Sequence, residues 1–490
     1  MSPTTRLLTA LLASASLSAC ATVGPDFKTP EAPKTASTLG AGETAPAAAR
    51  LDAVATNAGP WWTALNSLEL DTVIRQALKD SPTLAEADAT LSQAQSALAE
   101  ARGVAGPQVT GDAGIARQRA NLQAFGFTGF GEVKLSNPTF SLYSVGGAVS
   151  YDLDLWGGNR RRIEGSAARA EAQGRRAEAA YLSLTANVAL QAATIATLRA
   201  QIADVERMIA DDEANIELVR KANALGGSTS LAKVSAASQL EEDRAQLPAL
   251  QGELAAARHA LAVLVGRAPA DWSPPAFDLT GMSLSAPVPV ALASQLVRKR
   301  PDILAAEADL HAAVADIGVA TADLYPDITL SASLTQGALK PGDLFSYDAS
   351  GWDIRAGLTA PIFDGGALKA RRQQAREAAR AADARYRRTV LTAFGQVADA
   401  LSALSADEAA LAAHGRTQQE AAERLRLAKV AFDKGGGTML EVIGAQRALN
   451  AARSARARAE GRRLIDVIRL FAATGADWRT SPPEPGPHAG

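Results

Sequence analysis

From Ile328 to Thr335 the chain alternates strictly: Ile328, Leu330, Ala332 and Leu334 are apolar, and Thr329, Ser331, Ser333 and Thr335 carry hydroxyls. Successive side chains of a strand point to opposite faces, so this run predicts a strand that is apolar on one side and polar on the other. Residues 354–362 repeat the pattern through Ile354, Ala356, Leu358, Ala360 and Ile362, and VSYDLDL at 149–155 does so through Val149, Tyr151, Leu153 and Leu155. Two surroundings suit such strands: a sandwich core facing water, or a transmembrane barrel with lipid outside and a wet lumen. A tilted strand of about 9–11 residues crosses a bilayer, and these runs are of that size.

Just after the strand regions, at Trp156-Gly157-Gly158 and Asp364-Gly365-Gly366, the period changes. Val188, Ile195, Ile202, Ile209 and Ile216 recur every seventh position, with Leu184, Leu198, Val205 and Val219 on the adjoining seam. Val390, Val397, Leu404, Leu411, Leu425 and Phe432 do the same further on. A sustained heptad predicts coiled-coil packing. The predicted helices run over 159–223 and 366–433, each followed by a glycine turn and a returning helix, 229–265 and 438–474. At about 1.5 Å per residue, roughly 60 residues reach about 90 Å. Pro248 is expected to kink the first returning helix.

This order occurs twice. SLAKVSAASQL at 230–240 aligns with MLEVIGAQRAL at 439–449, and at the same spacing Gly266 pairs with Gly475. SPTLAEADATLSQAQSALAEA at 81–101 resembles RPDILAAEADLHAAVADIGVA at 300–320. Each unit opens with one predicted helix, 68–102 or 289–323, followed by strands within 108–155 or 327–362. A period of about 200 residues is too long for a solenoid and marks the duplication of half a fold. Two strands per unit make four per chain. Four strands cannot close a barrel with any interior, so a membrane barrel requires strands from several chains.

Composition narrows the function. Charged residues balance to a net −2, which gives no overall basic surface for nucleic acid. Aromatics are 5% of the chain, as suits long helices better than bulky globular cores. The histidines, His259, His311, His414 and His488, are scattered, and no zinc-protease, redox-cysteine, serine-hydrolase or phosphate-loop motif is present, so an enzyme is not expected. Asp152 and Asp154 lie two apart in the joint segment and are expected to bond across strands.

The N-terminus reads as a processing signal. Arg6 precedes an apolar stretch from Leu7 to Leu17 that is too short for a permanent bilayer span, and Leu17-Ser18-Ala19-Cys20 follows. The latter resembles a bacterial lipobox, which makes Cys20, the chain's single cysteine, the expected lipidation site. With no second thiol, disulfides within the chain are excluded.

CATVGPDFKTP (20–30), WW (61–62), YDLDLWGG (151–158), the block 299–330 and PIFDGG (361–366) together resemble the TolC-like outer membrane factor family, in particular its NodT-type efflux lipoproteins. The resemblance covers nearly the whole mature chain. It implies an α+β fold, internally duplicated: a homotrimeric outer-membrane β-barrel with four strands per protomer, continued by a long periplasmic α-helical coiled-coil barrel. The expected segments are a signal peptide (1–19), an anchor, linker and equatorial segment (20–66), a first repeat (67–266), an inter-repeat equatorial segment (267–288), a second repeat (289–475) and a tail (476–490). Trp156, Gly157, Gly158, Asp364, Gly365 and Gly366 then become the joints between strand and helix.

The implied function is a passive exit duct in the bacterial outer membrane for small toxic compounds such as drugs or metals. A periplasmic adaptor and an inner-membrane pump of the resistance-nodulation-division type are the implied partners, with outer-membrane lipid, and no cofactor beyond the lipid on Cys20. Alternatives are a channel for type I protein secretion and a non-conducting lipid-anchored scaffold. Gly226, Gly227, Leu231, Gly436, Gly437, Leu440 and Val442, at the hairpin tips, are the expected adaptor contacts. Many relatives place an acid in the second tip where this chain has Gly437, so the gate candidates shift to Asp433, Lys434, Glu441, Arg220 and Lys221. Basic clusters after the joints, Arg160-Arg161-Arg162 and Lys369, Arg371 and Arg372, are expected to meet anionic headgroups.

Overall fold

In chain order the elements are β1 (Ala49–Leu51), α1 (Leu68–Asp80), α2 (Pro82–Val104), β2 (Gln108–Arg119), β3 (Thr139–Asp152), α3 (Gly158–Ala224), α4 (Ser230–Leu264), β4 (Val288–Val290), α5 (Pro301–Ala322), β5 (Asp327–Ala338), β6 (Ser350–Thr359), α6 (Ala367–Asp433) and α7 (Met439–Ala473). They come from a computed structural model that describes residues 22–31, 39, 44–51, 60–121, 137–224, 229–284, 287–290 and 297–475. Contacts divide the chain into two units: residues to Pro30 with Ser92–Ala172 and Glu307–Ala384, and the remainder.

The first unit is built on an antiparallel sheet ordered β2-β3-β5-β6. Its register keeps the two faces chemically distinct. Leu330 pairs with Tyr151 and Ala356, Ala332 with Val149 and Ile354, and Leu334 with Gly147 and Trp352. On the opposite face Ser331 pairs with Ser150 and Arg355, and Ser333 with Ala148 and Asp353. β2 continues the apolar face through Val109 and Ile115, opposite Val149 and Tyr143. A slip of one residue would put every apolar side chain on the hydroxyl face, so this patterning holds the register.

The segment from Thr22 to Pro30 is strapped to this unit. Val23 N donates to Trp156 O at 3.0 Å. Arg161, nearly buried, donates to Asp26 at 2.6 Å, Glu164 at 2.8 Å and the Val23 carbonyl at 3.3 Å. His311 stacks on Phe27 with ring centroids 4.4 Å apart and bonds Glu164 at 2.9 Å. Arg161 therefore leaves the expected headgroup cluster, because its guanidinium is consumed in holding the N-terminal segment.

The second unit has the larger core, centred on Trp61 and Trp62, which are 2% and 0% exposed. Their indole N–H groups donate to Thr185 Oγ1 at 3.2 Å and Asp71 Oδ1 at 2.9 Å, and Trp61 lies 5.2 Å from the Phe471 ring. The heptad residues Val188, Ile195, Val397 and Leu404 pack into the same core, with Leu401 beside them. β1 and β4 pair in parallel beside it. One stretch of α3 is apolar enough by composition to cross a membrane, but half of it is buried within the protein.

Two predicted helices are broken. The expected helix over 68–102 is interrupted at Ser81, and the one over 289–323 contains strand β4 and restarts at Pro301. Pro82 and Pro301 explain where α2 and α5 begin: proline lacks the N–H that a continuing helix needs and favours the first helical position. Pro248, by contrast, sits inside α4 without ending it.

Trp61→Ala empties the best-filled part of this core. The expected loss is about 3–5 kcal/mol in denaturant unfolding, with Trp61→Phe costing less because the ring stack survives.

Candidate functional site

Both joints use the same device. At the first, Asp154 Oδ1 accepts from Asn159 N at 2.8 Å and Oδ2 accepts from Arg160 N at 3.0 Å. At the second, Asp364 Oδ1 accepts from Gly366 N at 2.8 Å and Oδ2 from Leu368 N at 2.7 Å. A helix begins with unsatisfied N–H groups and a positive dipole end, and a carboxylate answers both. The N–H groups of Leu368 and Gly366 hold the Asp364 carboxyl below the usual carboxylate range. Asp154 thus caps its own helix instead of bonding across strands as expected; Asp152 accepts from Asn159 Nδ2 at 3.3 Å and also meets Asp327 of β5.

The glycines supply the turn. Gly157, Gly365 and Gly366 have φ of 75°, 65° and 90°, the left-handed region that other residues rarely enter. Gly158 opens α3. Trp156 donates its indole N–H to the Pro326 carbonyl at 2.7 Å and stacks on Tyr325 at 4.6 Å. This fixes the tryptophan against the start of β5 with part of its ring exposed.

The second hairpin tip is accounted for bond by bond. Gly435 takes φ of 77°; its N–H donates to Phe432 O at 3.0 Å and Gly436 N–H donates to Ala431 O at 2.9 Å. This pair of bonds closes the carbonyl end of α6. Gly437 N–H also reaches Ala431 O, at 3.1 Å, and a Cβ there would press on Ala431 and Phe432. Thr438 then opens α7 with a reciprocal cap: Thr438 Oγ1 accepts from Glu441 N, and Glu441 Oε2 accepts from Thr438 N at 2.7 Å. The Thr438 N–H holds the Glu441 carboxyl below its usual range.

These positions sort the site residues. Leu231 and Leu440 are each 75% exposed, whereas Val442 is 9% exposed and packs with Ala421, Leu425, Ala445 and Leu449. Val442 is therefore core, which its place one helical position from exposed Glu441 did not disclose. Gly226 and Gly227 lie outside the described residues, as does Cys20. Asp433, Lys434 and Lys221 are exposed, and Arg220 lies 3.9 Å from Glu217. Asp433 and Glu441 both sit at the second tip, but the Glu441 carboxylate is committed to the helix cap.

Between the hairpins lies a cavity of about 690 Å³, lined by Val219, Leu231, Phe432, Met439, Leu440 and Ile443 together with Asp212, Asn215 and Arg447. Leu231 and Leu440 on its rim are among the expected adaptor contacts, whereas nothing in the sequence marks the cavity or its polar wall. Asp212 occupies an ordinary-looking acidic stretch, DDE, and nothing in its spacing reveals that it faces another carboxyl.

The model of the family described as outer membrane efflux protein matches residues 73–267 and again 292–476. The pyoverdine export outer membrane protein OpmQ of Pseudomonas aeruginosa is 31% identical over 474 residues, covering 95% of this chain and 96% of that protein. Outer membrane protein OprJ of the same organism is 30% identical, with 96% of each chain covered. Among solved structures, the outer-membrane channel OprN superposes with a TM-score of 0.82 at 25% identity over 94% of this chain and 100% of that one. CusC, described in a study of transmembrane channel formation, superposes with a TM-score of 0.80 at 25% identity over 93% of this chain and 100% of that one. A two-faced sheet, capped joints, heptad hairpins and a twice-matched family model agree: the chain belongs to the outer membrane efflux proteins, a family of non-enzymatic conduits in the bacterial outer membrane.

Proposed function

We propose that three copies of the chain pool their strands into one twelve-stranded barrel, with the helical hairpins lining a periplasmic tunnel, and that this duct passively conducts small molecules out of the cell. The observation that carries the reading is the sheet itself. Among the described residues it has four strands, open edges at β2 and β6, and an apolar face on which Val109, Ile115, Trp352, Ile354 and Leu358 stand exposed. Open edges are not tolerated in lipid, so the sheet needs strands from further copies to enter a membrane. Its hydroxyl face supports a wet lumen.

A periplasmic adaptor and an inner-membrane pump of the resistance-nodulation-division type would supply cargo and energy. Leu231 and Leu440 are the proposed adaptor contacts. Cys20 would carry the lipid that ties the chain to the outer membrane, and Trp156 suits the membrane interface. Export of pyoverdine by one relative and of cations by another supports small-molecule cargo without choosing among classes. Type I secretion keeps the same duct and changes the adaptor. A scaffold leaves the exposed apolar sheet without a purpose.

The two faces can be tested directly. Ile354→Arg puts a charge on the lipid side and is expected to cost about 2–4 kcal/mol if near the bilayer midplane, seen as loss of heat-modifiable oligomer in the outer membrane. Ser331→Arg on the other face is expected to leave assembly intact and lower single-channel conductance.

At the tips, a photo-crosslinking residue at Leu231 or Leu440 in living cells should capture an adaptor of a resistance-nodulation-division pump. Capture of an ABC-type secretion adaptor would change the cargo to protein.

For the gate, Asp433→Asn is expected to raise leakage of bulky antibiotics, while Glu441→Gln keeps the cap and leaves leakage unchanged. No effect from either variant removes the acidic gate from the account.

A further inference from the structure

Asp212 on α3 and Asp243 on α4 are 5% and 3% exposed, and their carboxyl groups meet. Such burial is uncommon for an acid without a cation bonded to it. Among the described residues each carboxyl keeps one oxygen, Oδ2, without a hydrogen-bond donor. Asn215 Nδ2 and Arg447 Nη2, on the wall of the same cavity as Asp212, have no acceptor either. Orphaned buried polar atoms are rare, and here four stand in one place.

The donors already present are unevenly shared. Asp243 Oδ1 accepts from Gln239 Nε2 at 3.1 Å and from Gln246 Nε2 at 3.0 Å. Neighbouring Asp211 accepts from Gln446 Nε2 at 2.7 Å and Asn450 Nδ2 at 3.0 Å, which ties α3 to α7. No amide donates to Asp212 Oδ2. Two ionised carboxylates in contact repel strongly in a buried site, and one proton between them removes the repulsion and satisfies an orphan oxygen.

We propose that Asp212 and Asp243 hold a single proton between α3 and α4, and that this proton sets the packing of the first hairpin beside the tip cavity. The device is independent of what the tips bind. Burial, and then the Asp243 carboxyl, push Asp212 up to about 7; Arg447 of α7 pulls it down and Asp211 pushes it further up. A carboxyl with a raised folded-state value contributes its full stabilisation below the unfolded value of about 4, and loses it as pH rises through the folded value. The window is therefore from about pH 4 to about pH 7, with the hairpin packing tighter on the acid side. Because the cavity wall includes both Asp212 and the exposed leucines, Leu231 and Leu440, loosening α3 from α4 reshapes the surface those leucines present.

The test is amide hydrogen exchange on the full chain in detergent, read by mass spectrometry over residues 205–219 and 236–250 and corrected for the intrinsic pH dependence of exchange. One proton lost on opening predicts that the local opening equilibrium rises by up to tenfold per pH unit to about pH 7 and then levels off. Asp212→Asn is expected to flatten that dependence while keeping the low-pH protection. Infrared spectroscopy of the wild-type chain should show a protonated-carboxyl carbonyl band at mildly acidic pH that fades on titration to mildly alkaline pH; this holds the proposal to account even if the variant fails to fold. Opening independent of pH, an unchanged slope in Asp212→Asn, or a dependence on sodium concentration instead of pH would overturn the shared proton.

Discussion

An open β-sheet edge cannot face lipid. Each backbone N–H and C=O left unpaired in hydrocarbon costs several kcal/mol, so a chain with four membrane strands is incomplete alone. The sheet here has that form: among the described residues it has four strands, in order β2-β3-β5-β6, with apolar side chains exposed along one face and no strand paired to either edge. Much else in the chain is consistent with the same demand. Duplication doubles the strand supply, and the alternating pattern keeps the register from slipping. The proposed self-association would complete what one chain begins.

The helices meet a second constraint. A helix leaves its first N–H groups and last carbonyls unsatisfied, and this chain answers at both of its turning regions with local side chains and glycines. Asp154 and Asp364 cap the helices that leave the sheet, and Thr438 with Glu441 caps the helix that leaves the second tip. Each of these caps comes from within the same chain, so the two joints and the second tip are defined locally. What stays exposed near the tips, Leu231 and Leu440, is then free for a partner.

Much of this was legible in sequence because it rests on short periods. The alternation at 328–335 and the heptads from Val188 to Ile216 and from Val390 onward report element type and face through spacing alone, and the structure places strands and helices there. Features that depend on which helix faces which were not legible. Val442 differs from Leu440 only in which side of one helical turn it occupies, yet one is core and the other surface. Asp212 and Asp243 lie on different helices and meet only in three dimensions, and Arg161 finds Asp26 across a long stretch of chain. Pro82 and Pro301 stand in plain view in the sequence, and each starts a new helix where the surrounding pattern is helical on both sides.

The central claim is that the sheet is completed by copies of itself. Native mass spectrometry of the chain extracted from outer membranes, with the detergent stripped in the gas phase, tests it most directly. Completion of the sheet by copies of itself predicts one dominant species containing three chains, surviving conditions that remove loosely bound proteins. A monomer as the only species, extracted under conditions that preserve known membrane oligomers, would contradict it and leave the exposed apolar face and open edges of the sheet without an explanation.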